Sequence, residues 1–153
     1  MSFDLLVLTA AHEAQAAGYR AQLAWRRSVG LLAPETRTLV VADPGGRRVG
    51  SLGATLHVLA LLAEETGRGR PVAAAFTGRR ILICHSGGDS RRTPAYAAQG
   101  KVFTPVPACD DHGTPLALFD LILRNASALP APASGQVLIA SGDVLLTFDA
   151  AAV

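Results

Sequence analysis

Four short apolar runs constrain this chain more than anything else in it: Asp4–Thr9 (DLLVLT), Thr38–Ala42 (TLVVA), Arg80–His85 (RILICH) and Gln136–Ser141 (QVLIAS). None alternates polar with apolar residues, as a strand with one wet face would. Each is too short to be a buried helix. Continuous runs rich in Leu, Ile and Val belong to strands covered on both faces, which is the condition of a parallel sheet. Parallel neighbours need long crossovers, and the intervals supply them. Ala11–Arg27 has good helix formers and no proline, and Ala54–Glu65 and Leu116–Leu129 also read as helices. The expected architecture is a Rossmann-like α/β sandwich, mostly parallel sheet with helices on both faces.

The punctuation fits this order. Pro34 breaks the first return, and Asp43-Pro44-Gly45-Gly46 is a strong turn signal. Gly50-Ser51-Leu52-Gly53 reads as a loop leading into the second helix, Gly67–Gly78 as a connection and Pro130–Gly135 as a linker. Lys101–Val106 reads as a short extended piece and Val144–Phe148 as a fifth strand. At 153 residues the chain suits one domain with a real core. Ala-Ala-Ala-Val directly after a strand-like run is an abrupt finish for an open sheet, so the expectation is the N-terminal portion of a larger domain.

Composition excludes several classes. Half the residues are apolar and the net charge is +2, so the chain is neither a disordered tail nor a nucleic-acid-binding basic module. No apolar run approaches bilayer-spanning length, and MSFDLLVLTAAHEAQ lacks a basic leader, which points to the cytoplasm. Cys84 and Cys109 suggest free thiols, and Cys109-Asp110-Asp111-His112-Gly113 a solvated turn. Of fourteen basic residues thirteen are Arg, which makes Lys101 conspicuous. A compact ammonium on a flexible stem does a different job from a guanidinium fork.

In open α/β sheets ligands bind at the carboxyl ends of strands. There, after Arg80–His85, stand Ser86-Gly87-Gly88-Asp89-Ser90-Arg91-Arg92, then Pro94, then Gly100-Lys101. Glycines let backbone N–H groups approach phosphate oxygens. The spacing is not a P-loop, because Ala95 and Val102 hold the places of its first glycine and its Ser/Thr. No Gly-x-Gly-x-x-Gly opens a helix either.

The ordered elements Gly87-Gly88, Arg92, Pro94, Lys101, Pro115 before LALFDLIL, and Gly142-Asp143 resemble sugar-nucleotide pyrophosphorylases. GSLGATL (Gly50–Leu56), HSGGDSRRTP (His85–Pro94), Gly100-Lys101 and ASGD (Ala140–Asp143) are more narrowly similar to the fucose-1-phosphate guanylyltransferase (GDP-fucose pyrophosphorylase) family, some members of which are fused to an L-fucokinase. Leu52 and Thr93 stand where that family has a glycine and a leucine.

The resemblance implies a nucleotidyltransferase sandwich of the GT-A-like kind. It implies condensation of GTP with a sugar 1-phosphate, fucose 1-phosphate by family, to a nucleotide sugar and pyrophosphate. It makes Arg92 and Lys101 the catalytic candidates, with Arg91 beside Arg92 on the phosphates. Nucleotide-binding candidates are Gly50, Ser51, Gly53, Ala54, Thr55, Ser86, Gly87, Gly88, Asp89, Ser90 and Arg91, and Asp143 is the Mg²⁺ ligand. A C-terminal remainder or fused kinase domain is the implied partner. For Gly50–Thr55 a helix N-terminus capped by Ser51 or Thr55 is the plainer alternative. His85 reads as a strand-end packing residue, and His12 and His57 as helix residues of structural or surface character. Two other functions stay open: a non-catalytic nucleotide-binding remnant of the family, and, from a faint likeness of GSLGAT to the glycine loop of galactokinase-related kinases, a sugar kinase.

Overall fold

The computed structural model describes residues 2–65, 67, 71–88, 94–96 and 99–149. In chain order these form β1 (Leu5–Ala10), α1 (Glu13–Ser28), β2 (Arg37–Ala42), α2 (Gly50–Glu65), β3 (Arg80–His85), β4 (Pro105–Cys109), β5 (Pro115–Ala117), α3 (Leu118–Ala128) and β6 (Gln136–Ser141). The four apolar runs are the four strands of one parallel sheet, ordered β2-β1-β3-β6. β4 and β5 make a separate antiparallel pair.

Strand side chains alternate between faces, and two cores result. Leu6, Leu8, Ala10, Leu82 and Cys84 face α1 and α3, against Ala16, Tyr19, Leu23 and Phe119. Leu5, Val7, Ile81 and Ile83 face α2, against Val58 and Leu62. All six residues of β1 are buried, which is why its sequence is an unbroken apolar run. The steps β1 to β2 and β3 to β6 run in opposite directions across the sheet, yet α1 and α3 cover the same face. The third crossover therefore has the opposite hand to the first. Parallel crossovers ordinarily share one hand, and the exception carries the β4–β5 pair within it.

Two buried arginines tie α3 down. Arg26 of α1 grips Asp120 with two bonds, Nε to Oδ1 at 2.7 Å and Nη2 to Oδ2 at 3.1 Å. Its guanidinium lies 4.5 Å from the Phe103 ring centre. Arg80, at the start of β3, donates to the carbonyls of Ala126 and Leu129 at the end of α3, where a cation complements the helix terminus.

Some expectations need correction. α2 starts at Gly50, not Ala54, so Gly50–Gly53 is helix rather than loop. A Cβ on Gly53 would lie 2.8 Å from that of Val49, so this glycine admits the incoming chain. Leu52, placed in the helix, needs no glycine-like backbone and stands 72% exposed. Lys101–Phe103 is a 3-10 turn, and the extended piece begins at Pro105. Pro115–Ala117 is strand, which shortens the third helix to Leu118–Ala128. Val144–Phe148 is irregular. A turn from Val144 N–H to the Ser141 carbonyl redirects it, and Asn125 Nδ2 donates to the Leu146 carbonyl at 2.7 Å, which holds it across α3. His12 precedes α1 and caps it, its Nδ1 accepting from Gln15 N–H at 3.2 Å. Among the described residues no helix is long and apolar enough to cross a membrane.

Candidate functional site

The carboxyl ends of β1, β2, β3 and β6 open on two adjoining clefts of about 260 and 250 Å³. Both are walled by Ser51, His85, Gly87 and Gly88. The glycine loop after β3 divides them.

The loop is held from beneath by α1. Ser86 Oγ donates to the Thr9 carbonyl at 2.8 Å. Tyr19 Oη donates to the Ser86 carbonyl at 2.6 Å, and Gln15 Nε2 to the Gly88 carbonyl at 3.2 Å. Gln15 is itself oriented by the Ala11 N–H on its Oε1 at 2.8 Å. A trans peptide points its N–H opposite to its C=O. Drawing the Ser86 carbonyl inward therefore turns the Gly87 N–H away from Tyr19. Gly87 lies close against the end of β1, where a Cβ would sit tightly, 3.3 Å from the Ala11 nitrogen. Burial pushes the Tyr19 hydroxyl up to about 12, so it stays a donor at any physiological pH.

The far end of the loop returns to the same tyrosine. Gly100, at φ +72°, packs against Tyr19 so closely that a Cβ would come within 2.6 Å of two ring carbons. Lys101 follows directly. Across from it, Gly142 N–H donates to the His85 carbonyl at 2.8 Å, so the turn after β6 lies alongside the loop. Gly142 has no room for a Cβ, which would meet that carbonyl at 2.9 Å. Asp143 is thereby placed with Oδ2 3.6 Å from Lys101 Nζ. Its Oδ1 accepts from Ser141 Oγ at 2.6 Å. The Ser141 hydrogen bond first, then the Lys101 charge, hold its carboxyl below the usual carboxylate range. One cleft thus collects loop backbone, an ammonium and an ionised carboxylate.

His85 is more than packing. Its Nε2 lies 2.8 Å from Thr55 Oγ1 and its Nδ1 3.2 Å from Thr9 Oγ1. Thr55 Oγ1 also donates to the Ser51 carbonyl at 3.0 Å. With that proton spent, Nε2 carries the ring proton and Thr9 donates to Nδ1. The imidazole pins α2 to the sheet behind Ser51. Burial lowers its pKa, against an opposing pull from the Asp43 charge.

Of the sequence-derived candidates, Gly50, Ser51, Ala54, Ser86, Gly87, Gly88, Lys101 and Asp143 line the two clefts. Gly53 and Thr55 lie behind the wall, one packing Val49, the other bonding His85. Asp89, Ser90, Arg91 and Arg92 fall outside the described residues. Sequence reasoning missed Gln15 and Tyr19, which had no signal beyond helix periodicity, and Asp43 and Arg48, which line the first cleft. Cys109 ends β4, and the turn that follows is closed by Asp110, whose Oδ1 accepts from the His112 and Thr114 N–H groups.

Fold and site together define an α/β protein with an anion-suited cleft at the carboxyl edge of a parallel sheet. The comparisons sharpen this. A model of the fucose pyrophosphorylase domain matches residues 74–153, the half that holds the glycine loop, Lys101 and Asp143. The chain belongs to that family. It is 39% identical over 168 aligned positions to the bifunctional fucokinase/GDP-fucose pyrophosphorylase of Arabidopsis thaliana, covering 97% of this chain and 16% of the plant protein. It is 36% identical to the L-fucokinase/L-fucose-1-P guanylyltransferase of Bacteroides fragilis, over 69% of this chain and 12% of that protein. Against the Homo sapiens fucose-1-phosphate guanylyltransferase it is 34% identical, over 69% of this chain and 16% of the human protein. The chain spans under a fifth of the length of each of these relatives. No solved structure matches it.

Proposed function

We propose that this chain carries the nucleotide-binding part of a nucleotidyltransferase that condenses GTP with a sugar 1-phosphate, L-fucose 1-phosphate by family. The observation that carries the reading is the convergence of the Gly87-Gly88 backbone, Lys101 and Asp143 on one cleft. A sugar 1-phosphate oxygen attacks the α-phosphorus of GTP in line. A new P–O bond forms, the α–β bridging bond breaks, and pyrophosphate leaves with its electron pair. Such chemistry needs positioning and charge neutralisation rather than a covalent nucleophile.

The loop N–H groups hold the triphosphate, and Lys101 neutralises charge developing at the α-phosphate. Arg92, with Arg91 beside it, holds the β- and γ-phosphates of the leaving group. Asp143 suits Mg²⁺, which is commonly held by one or two carboxylates plus phosphate oxygens rather than by an all-protein cage. Among the described residues no group of three or more potential metal ligands exists. When bound, Mg²⁺ would supply charge neutralisation on the phosphates.

The test is calorimetry with GTP and Mg²⁺ on the full chain, Lys101→Ala and Arg92→Ala, with ATP for comparison. GTP-selective binding that weakens in both variants is the expected result, and loss of turnover by about a hundredfold or more follows for Lys101→Ala where pyrophosphate is released. A folded chain that binds no nucleotide overturns the reading. Thr93, which stands where the family has a leucine beside Arg92, favours a second reading, nucleotide binding without turnover. Pyrophosphate release from GTP and fucose 1-phosphate separates the two, and γ-phosphate transfer to free fucose would instead reveal a kinase.

A further inference from the structure

The cleft at the ends of β1 and β2 is unaccounted for by phosphate chemistry. It shares its inner wall with the Lys101 cleft, yet its outer wall carries Asp43 and Arg48. Asp43 is fixed by its backbone, its N–H donating to the Ala10 carbonyl at 2.9 Å and its carbonyl accepting from Gly46 N–H at 3.0 Å. It heads the Pro44–Gly46 turn, where an Asp commonly caps with its side chain, but here it makes no capping bond. Among the described residues its carboxylate has no hydrogen bond or salt bridge. Its charge is felt at His85 on the inner wall. An acceptor-only group therefore stands in a cleft that shares a wall with the one assigned above to the triphosphate.

We infer that Asp43 reads the base of the nucleotide and selects guanine; this rests on the nucleotide-binding reading above. Guanine presents N1–H and the N2 amino group side by side, two donors matched to the two carboxylate oxygens. Adenine presents a bare N1 lone pair at the same place, which a carboxylate repels. A site built to hydrogen-bond a substrate donor rejects an analogue lacking it, because its own polar group is left unpaired. Arg48, on the same wall, has the donor geometry suited to O6 and N7 of guanine.

Calorimetry with GTP, ITP, ATP and XTP on the full chain tests this without any variant. Hypoxanthine keeps N1–H and lacks the amino group, so the expected order is GTP above ITP above ATP, with steps of roughly tenfold or more for each lost charged hydrogen bond. Asp43→Asn is isosteric, and its amide donates to the C2 carbonyl of xanthine. In that variant GTP weakens by tenfold or more and XTP overtakes it. If Asp43→Asn keeps the GTP-over-ATP preference, or the native chain shows none, the inference is overturned. In either case weakening by Lys101→Ala would show the phosphate site intact. Binding of no nucleotide at all overturns both readings together.

Discussion

Gly100→Ala tests whether the glycine loop and its lysine are held by one buried tyrosine. Two costs add. At φ +72° and ψ 149° the backbone lies in territory nearly reserved for glycine, and an L side chain there costs about 1–3 kcal/mol. The new methyl would also overlap Tyr19. That ring cannot yield easily. It is fully buried, its hydroxyl is bonded to the Ser86 carbonyl, and it packs edge-on against Phe103 with ring centres 5.5 Å apart. Overpacking of this kind costs about 1–3 kcal/mol, so the total is about 2–6 kcal/mol.

Gly113→Ala is the matched control, with φ +80° and nothing within 4 Å of the new methyl. It carries the backbone cost alone, about 1–2 kcal/mol. Urea unfolding followed by the fluorescence of the single Trp, Trp25, reads both. With a urea slope of about 1–3 kcal/mol per molar, Gly100→Ala moves the midpoint down by about 1 M or more, and clearly further than Gly113→Ala. In whatever fraction stays folded, GTP affinity also falls, because Lys101 follows the displaced residue. Equal midpoint shifts for the two variants would refute the packing argument.

Other outcomes follow from the same contacts. Asp120→Ala strands the buried Arg26 charge and costs about 3–5 kcal/mol, whereas Arg26→Met with Asp120→Leu costs less, about the 1–3 kcal/mol of the Ala117 N–H that Asp120 Oδ2 no longer accepts; urea midpoints distinguish them. His85 gives stability a pH dependence. Burial depresses its folded pKa below the unfolded value of about 6.5, so the folded state binds fewer protons. Its contribution is complete above about pH 6.5 and is lost as pH falls toward the folded pKa. Melting temperature should therefore drop less steeply between about pH 6.5 and 5 in His85→Gln than in the native chain. The thiols differ as well. Burial raises the Cys84 thiol to about 12 while Cys109 is exposed, so a thiol reagent titrates one group in the native chain and the second only on unfolding.

The fold was legible where burial alone decides structure. All four parallel strands were readable to within a residue, because a strand buried on both faces writes itself as an apolar run. The errors fall where a local signal was overruled. Gly50 and Gly53 advertise a loop, but one starts a helix and the other makes room for Val49. Val144–Phe148 has strand composition, yet among the described residues it pairs with no strand, and its apolar residues line a groove with Ile122 and Leu129 instead.

The site divides by range in the same way. Gly87-Gly88, Lys101 and Asp143 could be picked out because their chemistry is visible in their own residue types and order. Tyr19, Gln15 and Asp43 could not. Tyr19 acts on a carbonyl 67 residues away and Gln15 on one 73 away, and neither has a residue type that hints at it. Asp43 looked like turn punctuation because Asp-Pro-Gly-Gly is turn punctuation; only the folded chain reveals that the carboxylate does not cap the turn it heads. The third crossover explains why these distant groups meet. By returning α3 to the face of α1, it brings Phe103 and Gly100 onto Tyr19 and Asp120 onto Arg26. With α3 on the opposite face, Arg26 would lose Asp120 and Phe103 would lose the Phe119 ring. The unusual hand of that crossover thus supports, through Phe103, the packing around the tyrosine that anchors the loop.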